Sequence, residues 1–67
     1  MEVFSKRLKE LRIEEKLSQR QIAAKLDMRQ ASYTRYETGK GEPSLDTLVK
    51  LAKLFEVPTD YLLGLID

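Results

Sequence analysis

The side chains here that could do chemistry are carboxylates, amides, hydroxyls, ammoniums and guanidiniums, because histidine and cysteine are both absent. That removes the commonest general base, the commonest metal ligand, thiolate nucleophiles and disulfides together. The carboxylates do not group for acid–base work. Glu14 and Glu15 are adjacent, so on a helix they point apart. Asp46 and Asp60 fall in the first turns of expected helices, where an acid complements the helix dipole. A Ser–His–Asp set is impossible and no glycine-rich phosphate loop occurs. No enzyme activity, metal, cofactor or small-molecule ligand is expected. The chemistry that remains is recognition by hydrogen bonds and charge.

The distribution of charge supports that reading. The net charge of +1 hides an asymmetry: residues 1–40 carry ten basic and six acidic side chains, whereas residues 41–67 carry two basic and five acidic ones. A basic half set against an acidic half suggests one face meant for a polyanion. Apolar residues at 42% and charged residues at 34% suit a soluble helical domain rather than a disordered tail. A chain of 67 residues accommodates one domain, so residues 1–67 are expected to form a single unit with a small core. No apolar run approaches membrane-spanning length and the N-terminus does not read as a signal peptide, so a cytoplasmic protein is expected.

The elements that must position these groups are helices; no window alternates with period two. Phe4, Leu8 and Leu11 form one apolar stripe in a first helix from about Val3 to Lys16. Ser18 followed by Gln21 reads as a capping box, with Leu17 and Ile22 as its hydrophobic staple, so a second helix starts at Gln19. Ile22, Ala23 and Leu26 are its buried face. It stops at Asp27, which tolerates the left-handed conformation better than most residues, and Met28 anchors the turn. A third helix runs from Gln30 to about Thr38, with Tyr33 and Tyr36 on its core side and Gly39 as its C′ residue. After the loop Lys40–Pro43, Ser44 caps a fourth helix whose apolar positions are Leu45, Leu48, Leu51, Ala52 and Phe55. Val57-Pro58 breaks it. Thr59 is expected to cap a short last helix carrying Tyr61, Leu62 and Leu63, ended near Gly64.

Read together, Leu17-Ser18-Gln19-Arg20-Gln21-Ile22-Ala23, Leu26-Asp27-Met28, Tyr33 to Lys40, Pro43 to Leu48 and Asp60 to Gly64 resemble the Cro/cI-type helix-turn-helix family, also called the Xre family. The resemblance covers about residues 4–65. It implies an all-α, five-helix, lambda-repressor-like domain whose second and third helices form the helix-turn-helix. It also implies a transcriptional regulator, usually a repressor, that acts as a dimer on palindromic double-stranded DNA operators. Two departures stand out. Asp27 replaces the usual glycine of the turn, and Arg29 replaces the usual Ser or Thr that caps the third helix. Arginine cannot accept a bond from the helix amides, and a lost cap typically costs ~1 kcal/mol.

Carried onto this chain, the resemblance makes Gln30, Ala31, Ser32 and Arg35 the side chains facing bases. Gln pairs bidentately with adenine, Arg with guanine, and Ala packs on a thymine methyl. Thr34 is next along that face. Gln19 opens the second helix, where a phosphate would sit, and Arg20, Arg29 and Lys40 are further phosphate contacts. Arg12 and Glu37 are expected to form a structural ion pair between the first and third helices. Tyr33 and Tyr36 could stack on bases as in single-strand binders, but their helical spacing favours the core.

Alternatives of other kinds are a protein-interaction module of the same fold, as in a toxin–antitoxin or regulator complex, and a restriction-modification controller. The polar residues Gln30, Ser32 and Arg35 favour DNA over an apolar protein partner. One recognition helix reads too few base pairs to find a site in a genome, so a homodimer is expected. Leu65 and Ile66 are its candidate contact, unless they pack back on the first helix near Val3 and Phe4.

Overall fold

The computed structural model describes all of residues 1–67. Five helices follow in order: α1 (Glu2–Glu14), α2 (Gln19–Lys25), α3 (Gln30–Glu37), α4 (Leu45–Phe55) and α5 (Thr59–Leu63), with no strand. α1 packs on α3 and α5, α2 packs on α3, and α4 packs on α5.

Capping chemistry sets the start of α2. Ser18 accepts from the Gln21 amide at 3.0 Å, and the Gln21 side chain accepts from the Ser18 amide at 2.8 Å, completing a capping box. Ser44 caps α4 in the same way, accepting from the Thr47 amide at 3.2 Å. Arg29 is the N-cap of α3 and makes no side-chain cap bond, as its chemistry requires.

Left-handed residues other than glycine stop three of the helices. Asp27 adopts φ 55° just beyond α2, and the Met28 amide closes back on the Ala23 carbonyl at 3.0 Å. Lys16 and Glu56 adopt φ 59° and 56° at the ends of α1 and α4. These two are costlier residues for that conformation than glycine or asparagine. At Lys16 the turn brings the Leu17 amide to the Arg12 carbonyl at 3.2 Å and lets half-buried Leu17 reach the core. α1 therefore ends at Glu14, short of the expected Lys16. The expectation for Thr59 also fails: Pro58 is the N-cap of α5, no side chain caps it, and Thr59 is its first helical residue. Proline pre-sets an extended entry at φ −69°, so the helix begins directly after it.

The core joins all five helices through Phe4, Leu8, Ile22, Ala23, Leu26, Tyr33, Leu48, Leu51, Ala52, Phe55 and Leu62. Tyr33 is fully buried and Tyr36 half-buried; their rings meet edge to face at 6.0 Å, and Tyr36 meets Phe4 likewise at 6.3 Å. Leu45 departs from the expected stripe, being 81% exposed. It occupies the opening turn of α4, at the end away from α5, where no helix covers it.

Gly64 ends α5 at φ 81°, and a Cβ there would lie 2.8 Å from Val3 Cγ1. Gly39 has a similar φ of 77°, yet its nearest neighbour would be Ser5 Oγ at 3.8 Å. Both Gly→Ala variants should lose about 1–2 kcal/mol to left-handed strain. Gly64→Ala should lose more, because Val3 must also move. Urea unfolding of the two variants side by side measures the difference, and equal losses would show that Val3 yields freely.

Candidate nucleic-acid interface

The joint between α1, α2 and α3 is built around one carboxylate. Glu37, near the end of α3, accepts from Arg12 Nε at 2.6 Å and Arg12 Nη2 at 3.0 Å, a bidentate pair. Arg12 Nη1 donates to the Leu17 carbonyl at 2.9 Å, which ties the α1–α2 turn to the same centre. The Tyr33 hydroxyl, one turn earlier on α3, donates to Glu37 Oε2. Gln19, the first residue of α2, donates from Nε2 to Glu37 Oε1 at 3.1 Å, and its Oε1 accepts from the Thr34 hydroxyl at 2.7 Å.

The Glu37 side chain is 2% exposed and that of Arg12 13%, so water contributes little to either. Burial by itself would push the Glu37 carboxyl up. The hydrogen bonds from Arg12, Tyr33 and Gln19 outweigh it and hold the carboxyl below the usual carboxylate value. Tyr33 is pushed well above an ordinary phenol, first by burial and then by its bond to Glu37. Arg12 is raised by its hydrogen bond to Glu37. Every buried side-chain nitrogen and oxygen has a partner, the condition under which a buried polar network imposes a defined geometry. That geometry is the angle between α2 and α3.

The outward side of this joint is polar. Gln30, Ala31, Ser32 and Arg35 are exposed on α3, and Ala31 and Arg35 share a face one turn apart. Arg20 is exposed in the first turn of α2, Arg29 at the start of α3 and Lys40 in the loop after it. Arg35 and Lys40 are brought together: Arg35 Nη2 donates to the Lys40 carbonyl at 2.8 Å, and the Lys40 amide donates to the Arg35 carbonyl at 2.9 Å. Gly41 lies against the Arg35 side chain, where a Cβ would come within 3.3 Å of Arg35 Cβ. Gln19 and Thr34 differ from the rest. Both are half-buried and bonded to each other rather than free.

The family model for the helix-turn-helix matches residues 8–62, which spans the network, α2 and α3, and every core residue except Phe4. The chain belongs to the Cro/cI-type helix-turn-helix family. Among its relatives, an uncharacterised HTH-type transcriptional regulator of Bacillus subtilis, YobD, is 43% identical over 65 residues, covering 97% of this chain and 58% of that protein. The B. subtilis HTH-type transcriptional regulator ImmR is 44% identical over 61 residues, 91% of this chain and 48% of its own. The cryptic phage CTXphi transcriptional repressor RstR of Vibrio cholerae is 38% identical over 56 residues, 84% and 50% respectively. The chain spans about half the length of the curated relatives it matches. α2 and α3 are the two helices of this helix-turn-helix, and no helix is long and apolar enough to cross a membrane.

Several contacts that position α3 were not visible in sequence. Tyr33 and Glu37 are four apart on one helix, a spacing that could have suggested their bond. Ser5 carried no such signal. Its buried hydroxyl lies 2.6 Å from the Tyr36 carbonyl and 2.9 Å from that of Met1, pinning the end of α3 to the start of α1. Arg7 was also missed. It donates to the carbonyls of Tyr61 and Ile66, and its guanidinium lies 4.4 Å from the centre of the Tyr61 ring.

Proposed function

We propose that residues 1–67 form one DNA-binding domain of a transcriptional regulator, a repressor in its main mode, that acts in the cytoplasm as a homodimer on a palindromic operator. The observation that carries this reading is the two-sided character of α3. Its inner side holds Tyr33 and Glu37 in a buried network, while its outer side presents Gln30, Ala31, Ser32 and Arg35 to solvent. A rigid helix with hydrogen-bonding residues on its free face is what entry into a major groove requires. Gln30 and Ser32 in the first turn read base edges, and Ala31 packs on a thymine methyl. Arg35 reads a base after releasing the Lys40 carbonyl, an exchange that costs little because that hydrogen bond is solvent-exposed. Arg20, Arg29 and Lys40 flank the helix and bind phosphates, and Gln19 adds one more such contact. The transcriptional regulators among the relatives support the same assignment.

Selection of bound sequences from random duplex DNA is the first test, followed by titration of variants on the selected site. Gln30→Ala and Arg35→Ala are each expected to lose roughly 1–3 kcal/mol on the selected site and to relax base choice at one position. Lys40→Ala should weaken selected and random DNA alike and make the salt dependence shallower, because one fewer counterion is released. Enrichment of no sequence, or affinity indifferent to salt, would overturn the assignment. Placing the selected site within and then upstream of a promoter separates repression from activation.

A further inference from the structure

We propose that Thr34 is a positioning residue for DNA contact: with Glu37 it brackets the Gln19 carboxamide and aims that side chain at a backbone phosphate. The inference rests on the DNA-binding reading above and extends it to a residue whose sequence position suggested base contact instead. Glu37 is an ionised carboxylate and can only accept, so the group of Gln19 that faces it must be the NH₂. The Gln19 carbonyl oxygen must then face Thr34, and the threonine hydroxyl must be the donor. The two bracketing residues are three apart on α3 and so share one face of it. One amide orientation satisfies both, and its mirror flip would set the carbonyl oxygen against the Glu37 carboxylate.

The consequence is a preorganised donor. Gln19 Nε2 carries two hydrogens, one of which is taken by Glu37, and the other is left for an acceptor outside the protein. Exposed Arg20, the next residue of α2, adds positive charge to the same end of the helix. Thr34 itself is half-buried with its hydroxyl engaged, which removes it from base reading. Without its hydroxyl, the Gln19 side chain regains rotamers that it must lose again on binding.

The test compares wild type, Thr34→Val, Thr34→Ser, Gln19→Ala and the Gln19→Ala/Thr34→Val double variant on the selected duplex and on random duplex over a salt series. Thr34→Val should weaken both duplexes by the same factor, about three- to tenfold, the cost of immobilising one flexible side chain. The salt slope should stay unchanged, because a neutral carboxamide neutralises no phosphate and releases no counterion. Thr34→Ser should restore both, and the double variant should match Gln19→Ala. Side-chain ¹⁵N relaxation adds a readout without DNA, in which Gln19 Nε2 is ordered in wild type and Thr34→Ser and mobile in Thr34→Val. If the valine variant melts too low, Thr34→Ala replaces it. The proposal is overturned if Thr34→Val alters base preference at one position, if it leaves affinity unchanged, or if its loss adds to that of Gln19→Ala. Wild-type protein that binds no duplex would instead remove the DNA-binding reading itself, and this inference with it.

Discussion

Glu37→Ala is expected to lower the free energy of unfolding by about 3–5 kcal/mol, the range for removing one member of a buried ion pair. The size follows from what is stranded. The Arg12 guanidinium loses a bidentate partner, and the Tyr33 hydroxyl and Gln19 amide lose their acceptor, all in a joint that water barely reaches. Domains of this length have a total stability of only ~0.05–0.15 kcal/mol per residue, so the loss removes a large share of it and should lower the urea midpoint steeply. Arg12→Met combined with Glu37→Leu should be milder, because it leaves no charge without a partner, although the Tyr33 hydroxyl and the Leu17 carbonyl still lose theirs.

The pH dependence of the wild type points to the same group. The folded Glu37 carboxyl is held below its ordinary value of 4.5, so the unfolded chain takes up a proton first as acid is added. The stabilisation is therefore complete above the ordinary carboxylate range and is lost as pH falls through it and below. Tyr33 acts at the other extreme. Its folded hydroxyl keeps its proton beyond the ordinary phenol value of 10.0, so its contribution is full below that pH and fades above it. Urea unfolding from acid to alkaline pH should give a plateau with two shoulders. Tyr33→Phe should remove the alkaline one, and a variant that keeps it would place that titration elsewhere.

Leu65→Asp combined with Ile66→Asp should abolish cooperative occupancy of two half-sites and reduce affinity for the full operator by about two orders of magnitude, the lower end of what linking two binding events contributes. Leu65 is 70% exposed and Ile66 46%, so most of the first side chain and about half of the second stay uncovered by α1. The tail is nevertheless held. Arg7 donates to the Ile66 carbonyl and to the Tyr61 carbonyl while stacking on the Tyr61 ring, which fixes the backbone from which both apolar side chains project. Fixed apolar groups at the surface associate with less entropic cost than a mobile tail does. Footprinting of wild type and the double variant on one operator measures the effect. Because the substituted side chains are exposed, the melting temperature should be nearly unchanged and a single half-site should bind as before. Undiminished protection of both half-sites by the variant would place the homodimer contact elsewhere.

What sequence alone determined about this protein is what acts over a few residues. Ser18 and Gln21 announce the start of α2, Asp27 marks its turn and Ser44 opens α4, because capping and left-handed preference belong to side chains acting on their own backbone. The apolar stripes of α1 and α4 predicted most of the core because helical period brings i, i+3 and i+4 together without reference to the rest of the chain. The motifs between Leu17 and Gly64 resemble those of the family to which the chain belongs. The stop at Lys16 and the proline start of α5 were misread, since each depends on where the next segment must go: Leu17 into the core, and α5 back across α1. Only the tertiary structure decided which polar residues face inward. Gln19 and Gln30 each open a helix, and nothing local tells them apart. Gln19 turns to Glu37 and Thr34 because the packing of α2 on α3 puts an acceptor and a donor on either side of its amide, while Gln30 meets no such pair and stays exposed. Hydrogen bonds between elements depend on distances set by every helix at once, so a buried carboxylate can gather Arg12, Tyr33 and Gln19 only after the core has brought them together.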